Sequence, residues 1–107
     1  MQFENIVIGT EKKLALHIEP IGNITMNDYD FVVEYFCSDM RVERVTKAQM
    51  REVSSDNYII RVDTAKVGCG RLKCRVIAYL PDSDFEDGTR TEIYDFSTNI
   101  NIVSILK

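Results

Sequence analysis

The chain has 107 residues, of which 45% are hydrophobic and 28% charged, and its formal net charge at pH 7 is -4. This length suits one domain with one core, so we expect a single domain over residues 1–107. The acidic balance argues against nucleic acid or anionic membranes as partners. The N-terminus lacks the basic start and apolar run of a signal peptide, and no apolar run is long enough to cross a bilayer.

Alternation of apolar and polar residues, which is typical of half-buried strands, recurs along the chain. It predicts strands over 13–19, 28–37, 58–63 and 71–80, the first of them ended by Pro20. The residues predicted to face the core are Leu14, Leu16 and Ile18; Tyr29, Phe31, Val33, Tyr35 and Cys37; Tyr58, Ile60 and Val62; and Leu72, Cys74, Val76, Ala78 and Leu80.

The segment 41–53 is ambiguous, because its apolar residues fit either helical spacing or a short edge strand. Thr46 and Gln49 have the spacing of a capping box, so we interpret the segment as a strand followed by one helical turn. Gly68 and Gly70 indicate a tight turn with positive φ. Residues 89–96 and 98–106 are rich in β-branched and aromatic residues and predict two strands, with a bulge or bend at 97–99.

These elements amount to about seven or eight short strands without a long helix, which favours an all-β, antiparallel β-sandwich. If strands 28–37 and 71–80 are antiparallel neighbours, their outward charges face each other and stabilise the pairing. Such pairs contribute roughly 0.2–1 kcal/mol each. The acidic row is Asp28, Asp30 and Glu34, and the basic row is Arg71, Lys73 and Arg75.

An acidic loop follows Pro81 and contains four candidate calcium ligands: Asp82, Asp84, Glu86 and Asp87. Carboxylates at nearby positions can surround a calcium ion with oxygen atoms. Gly88 comes one position too late for an EF-hand loop, and the Asp-Gly pair before the next strand is common in hairpin turns. We interpret the loop as a solvated hairpin and keep a calcium site as the alternative.

The three cysteines, Cys37, Cys69 and Cys74, match no metal or redox spacing, so we expect free thiols in a reducing compartment rather than a disulfide. A cysteine nucleophile needs a base, and His17 is the sole histidine. It lies on the polar face of its strand, whereas Cys37 and Cys74 lie on core faces, and Cys69 alone is expected to be exposed. We therefore predict no enzyme and no cofactor.

Four apolar residues fall on the outward faces of the two central strands: Val32, Phe36, Ile77 and Tyr79. Exposed apolar patches mark protein contacts, so these residues are candidates for binding a partner. The alternative is that the long stems of Lys73 and Arg75 cover them. A second group of residues gives a basic stripe, which we interpret as a solvated face: Arg41, Arg44, Lys47 and Arg51.

The most distinctive residues lie between 58 and 92: Tyr58-x-Ile60-x-Val62-Asp63-Thr64, Gly68-x-Gly70-x-Leu72, Pro81-Asp82 and Arg90-Thr91-Glu92. This pattern resembles the small immunoglobulin-like β-sandwich modules of tailed-phage and prophage structural proteins in gut bacteria, including baseplate and tail-fibre proteins. The resemblance covers about half the chain.

The resemblance implies an immunoglobulin-like fold and a non-enzymatic attachment or assembly role, with no catalytic residues to transfer. The expected partners are other protein subunits of a virion, or further copies of this chain, and the expected location is the cytoplasm or the virion. The alternative function is a carbohydrate- or calcium-binding β-sandwich module.

Overall fold

The computed structural model describes residues 4–18, 24–37 and 41–104. Its eight strands are Glu4–Val7 (β1), Glu11–His17 (β2), Asp30–Phe36 (β3), Val42–Thr46 (β4), Arg51–Ser54 (β5), Asn57–Asp63 (β6), Gly70–Pro81 (β7) and Thr89–Val103 (β8). The helical segments are single 3-10 turns at Met26–Asp28, Lys47–Gln49 and Thr64–Lys66. Within these residues, therefore, no helix is long and apolar enough to cross a membrane.

The strands form two sheets that pack face to face as a β-sandwich, which confirms the predicted fold class. One sheet has five strands in the order β1-β8-β7-β3-β4, and the other has three in the order β2-β6-β5. Neighbouring strands are antiparallel, as predicted, except that β1 runs parallel to β8.

The core lies between the sheets, on the faces that the alternation predicts. The most deeply buried side chains include Phe31, Ile60, Val76 and others with less than 2% exposure. The ring of Phe31 meets that of Tyr58 edge to face, with centroids 5.2 Å apart. Residues from both sheets thus interlock at the centre of the sandwich.

Three strand predictions need correction. The sequence did not indicate β1 or β5, and residues 89–103 form one continuous strand instead of two. The predicted bulge is confirmed: the β7–β8 register shifts between Arg71 and Lys73. At the shift, the Thr98 hydroxyl donates to the Leu72 carbonyl at 2.8 Å. β2 ends at His17 and β8 at Val103, earlier than the predicted ends at residues 19 and 106, while Pro20 and residues 105–106 lie outside the described residues.

β3 and β7 are antiparallel neighbours, the pairing that the opposite charges favour, but only one of the expected acid–base pairs forms across it. Glu34 lies opposite Arg75, with 3.6 Å between carboxylate and guanidinium. Asp30 lies opposite Tyr79, and Asp28 belongs to the 3-10 turn before β3. In an antiparallel pair the start of one strand lies beside the end of the other. The acidic residues near the start of β3 are therefore far from the basic residues near the start of β7.

The ambiguous segment 41–53 is a strand followed by one helical turn, as interpreted, and then by β5. The Thr46 N–H donates to the Gln49 side chain at 2.9 Å, as in a capping box. Lys47 does not lie on a solvated face, because its ammonium donates to the carbonyls of Met26 at 2.9 Å and Tyr29 at 2.7 Å. This lysine joins the turn after β4 to the turn before β3.

The turn before β7 has the backbone that its glycines predict. Gly68 has a φ of +83° and Gly70 a φ of +127°, values that residues with a Cβ atom rarely adopt. This turn allows β7 to begin directly after the 3-10 turn Thr64–Lys66 and to occupy the middle of the larger sheet.

Candidate protein-contact surface

The outer face of the five-stranded sheet carries a row of side chains that crosses four strands, and we call it the apolar row because three of its four members are apolar. Thr46, Val32, Ile77 and Ile93 lie opposite one another in the registers of β4, β3, β7 and β8. With strands about 4.8 Å apart, this row spans roughly 14 Å. Exposure rises along it, from Val32 at 6% to Ile93 at 59%.

A row of alternating charges lies beside the apolar row. Arg44 and Arg75 flank Glu34 at 3.8 and 3.6 Å, and Arg75 also binds Asp95 at 2.7 Å. The hydrogen bond and charge of Asp95 raise the pKa of Arg75 above its ordinary value. The row holds the Arg75 guanidinium 5.3 Å from the centre of the Phe36 ring.

The four predicted contact residues all lie on this outer face, but they differ in accessibility. Val32 and Phe36 are buried, the latter beneath Arg75, as the alternative of covering basic stems expected. Ile77 and Tyr79 are half-buried. The most accessible apolar surface therefore lies further along the row, on β8.

Residues 93–97 of β8 are all exposed, and we call the first four, Ile93, Tyr94, Asp95 and Phe96, the β8 corner. Ile93 points outward, opposite Ile77. Tyr94 and Phe96 lie opposite the core residues Val76 and Cys74, yet they are 37% and 43% exposed. The smaller sheet has only three strands and covers Tyr94 and Phe96 only in part.

The β8 corner is also an edge. The register of β1 covers only Ile100–Val103 of β8, so among the described strands none pairs with the other side of 89–97. A small apolar cavity of about 70 Å³ lies between the sheets behind Phe96 and extends to Leu16 and Ile60. Both the backbone and the side chains of this edge are thus open to a partner.

A series of hydrogen bonds fixes the Tyr94 side chain of the β8 corner. The Tyr94 hydroxyl donates to Glu92, which also accepts from Arg90 Nε at 2.9 Å. Arg90 in turn binds Asp82 at 2.5 Å. The hydrogen bond to Glu92 raises the pKa of Tyr94, so its hydroxyl stays protonated at neutral pH. These contacts hold the Tyr94 ring at the edge.

The four candidate calcium ligands lie in the hairpin that joins β7 to β8: Asp82, Asp84, Glu86 and Asp87. Asp82 binds Arg90, and the Asp87 carboxylate accepts the Thr89 N–H at 3.0 Å. Over residues 4–18, 24–37 and 41–104, no group of three acidic, cysteine or histidine side chains could hold a metal ion. Calcium or carbohydrate binding by this loop stays a prediction.

The thiols and the histidine occupy separate environments. Cys74 is buried, and burial raises the pKa of its thiol to about 11. Cys37 is half-buried with its pKa also raised by burial, and Cys69 is exposed, as the sequence predicts. His17 is exposed with Nδ1 2.9 Å from the Asp56 carbonyl oxygen. A thiol that stays protonated in the core acts as a packing group.

Ile93, Tyr94 and Phe96 are contact candidates that the sequence analysis does not identify. The available signal was that apolar residues occur on both faces of one short segment, since Tyr94 and Phe96 share one face and Ile93 lies on the other. Full burial in a central strand explains such a pattern equally well. Only the topology, with three strands facing five, leaves both faces exposed here.

Comparison of the chain with protein-family models, curated proteins and solved structures found no match.

Proposed function

We propose that this protein is a non-enzymatic assembly module of a phage or prophage particle, and that it binds a neighbouring subunit through the β8 corner. The observation that carries the proposal is the unpaired edge of β8 together with the exposed side chains of Ile93, Tyr94 and Phe96. The phage assignment is supported by the resemblance carried by residues 58–92.

The strand order supports an immunoglobulin-like arrangement. In that fold, one sheet contains strands C, F and G, and the other contains strands B, E and D. Some variants have a further strand, C′, beside C. If β2 to β8 are taken as B, C, C′, D, E, F and G, the two sheets become G-F-C-C′ and B-E-D. The parallel β1 then lies beside G as an additional edge strand.

Edge strands of natural proteins are commonly protected by charges, proline or bulges, because an open apolar edge pairs with other chains. The other edge strands expose at most one large apolar residue each within the described residues: Val7 on β1, Val42 on β4 and Val53 on β5. The β8 corner exposes three within four residues. This concentration favours an edge that a partner covers in the assembled state.

An added strand would satisfy both features of the corner at once. Residues 89–97 offer about 30 Å of unpaired backbone at roughly 3.4 Å per residue. A partner strand would bond to the outward N–H and C=O groups and would cover Tyr94 and Phe96 from the side. Ile93 would add an apolar contact on the outer face. Backbone pairing thus supplies affinity, and the three side chains supply selectivity.

Incorporation into particles tests this proposal, with variants chosen in pairs of equal exposure. Ile93→Lys changes a residue with 59% exposure, and Val53→Lys changes one with 58%. Phe96→Lys is matched in the same way by Val42→Lys, since both positions are 43% exposed. Circular dichroism establishes that all four variants are folded before they are expressed in the producing cells.

The expected result is that gradient-purified particles contain the wild-type chain and both control variants but lack the Ile93→Lys and Phe96→Lys variants. A wild-type chain that never enters particles would contradict the virion role. Equal incorporation of all four variants would contradict the β8 corner as the contact.

A further inference from the structure

A basic pocket lies on the outer face of the three-stranded sheet, on the opposite side of the sandwich from the apolar row. Its volume is about 310 Å³, and its lining residues are Lys13, Gln49, Met50, Arg51, Ile59 and Arg61. It thus contains three cationic side chains and no acidic one. On a chain with a net charge of -4, this separation of charge is unexpected.

The cations of the basic pocket are placed at a cost to the free chain. Lys13 and Arg61 lie directly opposite each other on β2 and β6, where like charges are destabilising, and Glu11 and Asp63, the next pair on the same face, offset part of this repulsion. Arg51 lies opposite Ile59 on β5, one position along the same face. Within the described part of the chain, none of the three forms an ion pair. An anionic group from outside would relieve this repulsion.

The floor of the basic pocket is apolar. Ile59 is partly buried and lines the pocket among the charged groups, next to Met50, whose side chain is 9% exposed and belongs to the core. A small inorganic anion would leave the exposed part of Ile59 in contact with water. The pocket therefore fits an acidic segment that also carries an apolar side chain.

The tip of the β7–β8 hairpin has that composition. Asp84, Glu86 and Asp87 are exposed and, among the described residues, form no ion pair. Phe85 lies among them with 49% exposure. Three carboxylates and one aromatic ring thus match three cations and an apolar floor.

We propose that the hairpin tip of one copy docks into the basic pocket of the next, so that the chain associates head to tail. Phe85 packs on Ile59, while the carboxylates pair with the surrounding cations. The hairpin joins strands of the larger sheet and the pocket lies on the smaller one, so each copy keeps one free tip and one free pocket. A heterologous contact of this kind, in which two different surfaces meet, builds closed rings or open chains. This contact does not involve the β8 corner and goes beyond the function proposed above.

Two variants, each of which replaces charged residues by neutral ones, test the basic pocket and the hairpin tip separately. The pocket variant combines Lys13→Gln with Arg61→Gln, and the tip variant combines Asp84→Asn with Glu86→Gln. A control with the same change of net charge as the pocket variant combines Arg41→Gln with Lys73→Gln, which are exposed positions on and beside the larger sheet. Thermal unfolding verifies that each is folded, and removal of the Lys13–Arg61 repulsion should raise the melting temperature of the pocket variant.

Sedimentation velocity over a range of concentrations is the test. At low ionic strength the wild type and the control should form assemblies larger than a dimer as concentration rises. At about 1 M salt, where the Debye length is about 3 Å, they should dissociate to monomers. The pocket and tip variants should each stay monomeric, and their equimolar mixture should form a dimer and nothing larger, because one intact tip meets one intact pocket.

Several results would overturn this inference. A wild type that is monomeric at all concentrations excludes it, as does a tip variant that assembles like the wild type. Assembly that is lost in Ile93→Lys but kept in the pocket variant would place self-association at the β8 corner. That last result would contradict the hairpin contact while leaving the proposed function intact.

Discussion

Replacing Lys47 with methionine removes an ammonium that connects two parts of the backbone distant in sequence. Lys47 Nζ donates to the carbonyls of Met26 at 2.9 Å and Tyr29 at 2.7 Å, and it lies 5.5 Å from the centre of the Phe31 ring. Methionine keeps the apolar stem of the side chain but offers neither hydrogen bonds nor charge. The variant therefore isolates the contribution of the ammonium.

The expected loss of stability follows from these contacts. A hydrogen bond to a charged group contributes about 1.5–3 kcal/mol, and the lower part of that range applies because the side chain of Lys47 is only partly buried. Water can replace some of the lost bonds, while the cation–π contact adds about 0.5–1 kcal/mol. We expect the free energy of unfolding to fall by about 2–4 kcal/mol, a large fraction of the roughly 5–15 kcal/mol typical of a domain.

Urea denaturation followed by circular dichroism measures this change, with Lys66→Met as the matched control. Lys66 is exposed, and its ammonium lies 3.8 Å from Glu43, so its loss should change stability by less than about 0.5 kcal/mol. A Lys47→Met variant that unfolds within about 0.5 kcal/mol of the wild type would refute the structural role of this lysine.

Three further predictions concern the core and its ionisable groups. Phe31→Ala and Val76→Ala should each cost about 2–5 kcal/mol in urea denaturation, and a change below about 0.5 kcal/mol would mean that these side chains are not in the core. Burial raises the pKa of Tyr29 from 10.0 to about 12 and that of Cys74 from 9.0 to about 11, so the unfolded chain loses these protons first. The free energy of unfolding should therefore fall as pH rises from 9 towards 12. Tyr29→Phe should make this fall less steep in its upper part. Identical pH profiles of stability for the wild type and the variant would contradict the burial of Tyr29. Under native conditions a thiol reagent should label Cys69 quickly and Cys74 only on unfolding; rapid labelling of Cys74 would place it outside the core.

The strands that the sequence predicts are those with one solvent-exposed face and one buried face. In β6 and β7, for example, Tyr58, Ile60 and Leu72 are buried as the alternation requires. The sequence does not reveal β5, because all four of its residues are exposed and no apolar alternation marks it. It does not reveal β1 either, since this short strand depends on a partner almost one hundred residues away, with Ile6 opposite Ile102.

The candidate surface was only partly predictable for a related reason. Alternation places Ile77 and Tyr79 on the outer face, but it cannot show that Arg75 covers Phe36, because that contact depends on ion pairs across three strands. The β8 corner depends on the number of strands in the opposite sheet, which no local pattern encodes. The role of Lys47 was hidden in the same way, since its acceptors lie on a separate turn.

Amide hydrogen exchange of β8, compared between the free chain and the chain in purified particles, tests the proposed edge contact most directly. In the free chain, the outward amides of residues 89–97 have no described strand to bond to and should exchange quickly. We expect these amides to become strongly protected in the assembled state, while those of the β4 edge exchange as before. Unchanged exchange across residues 89–97, with new protection elsewhere, would contradict it.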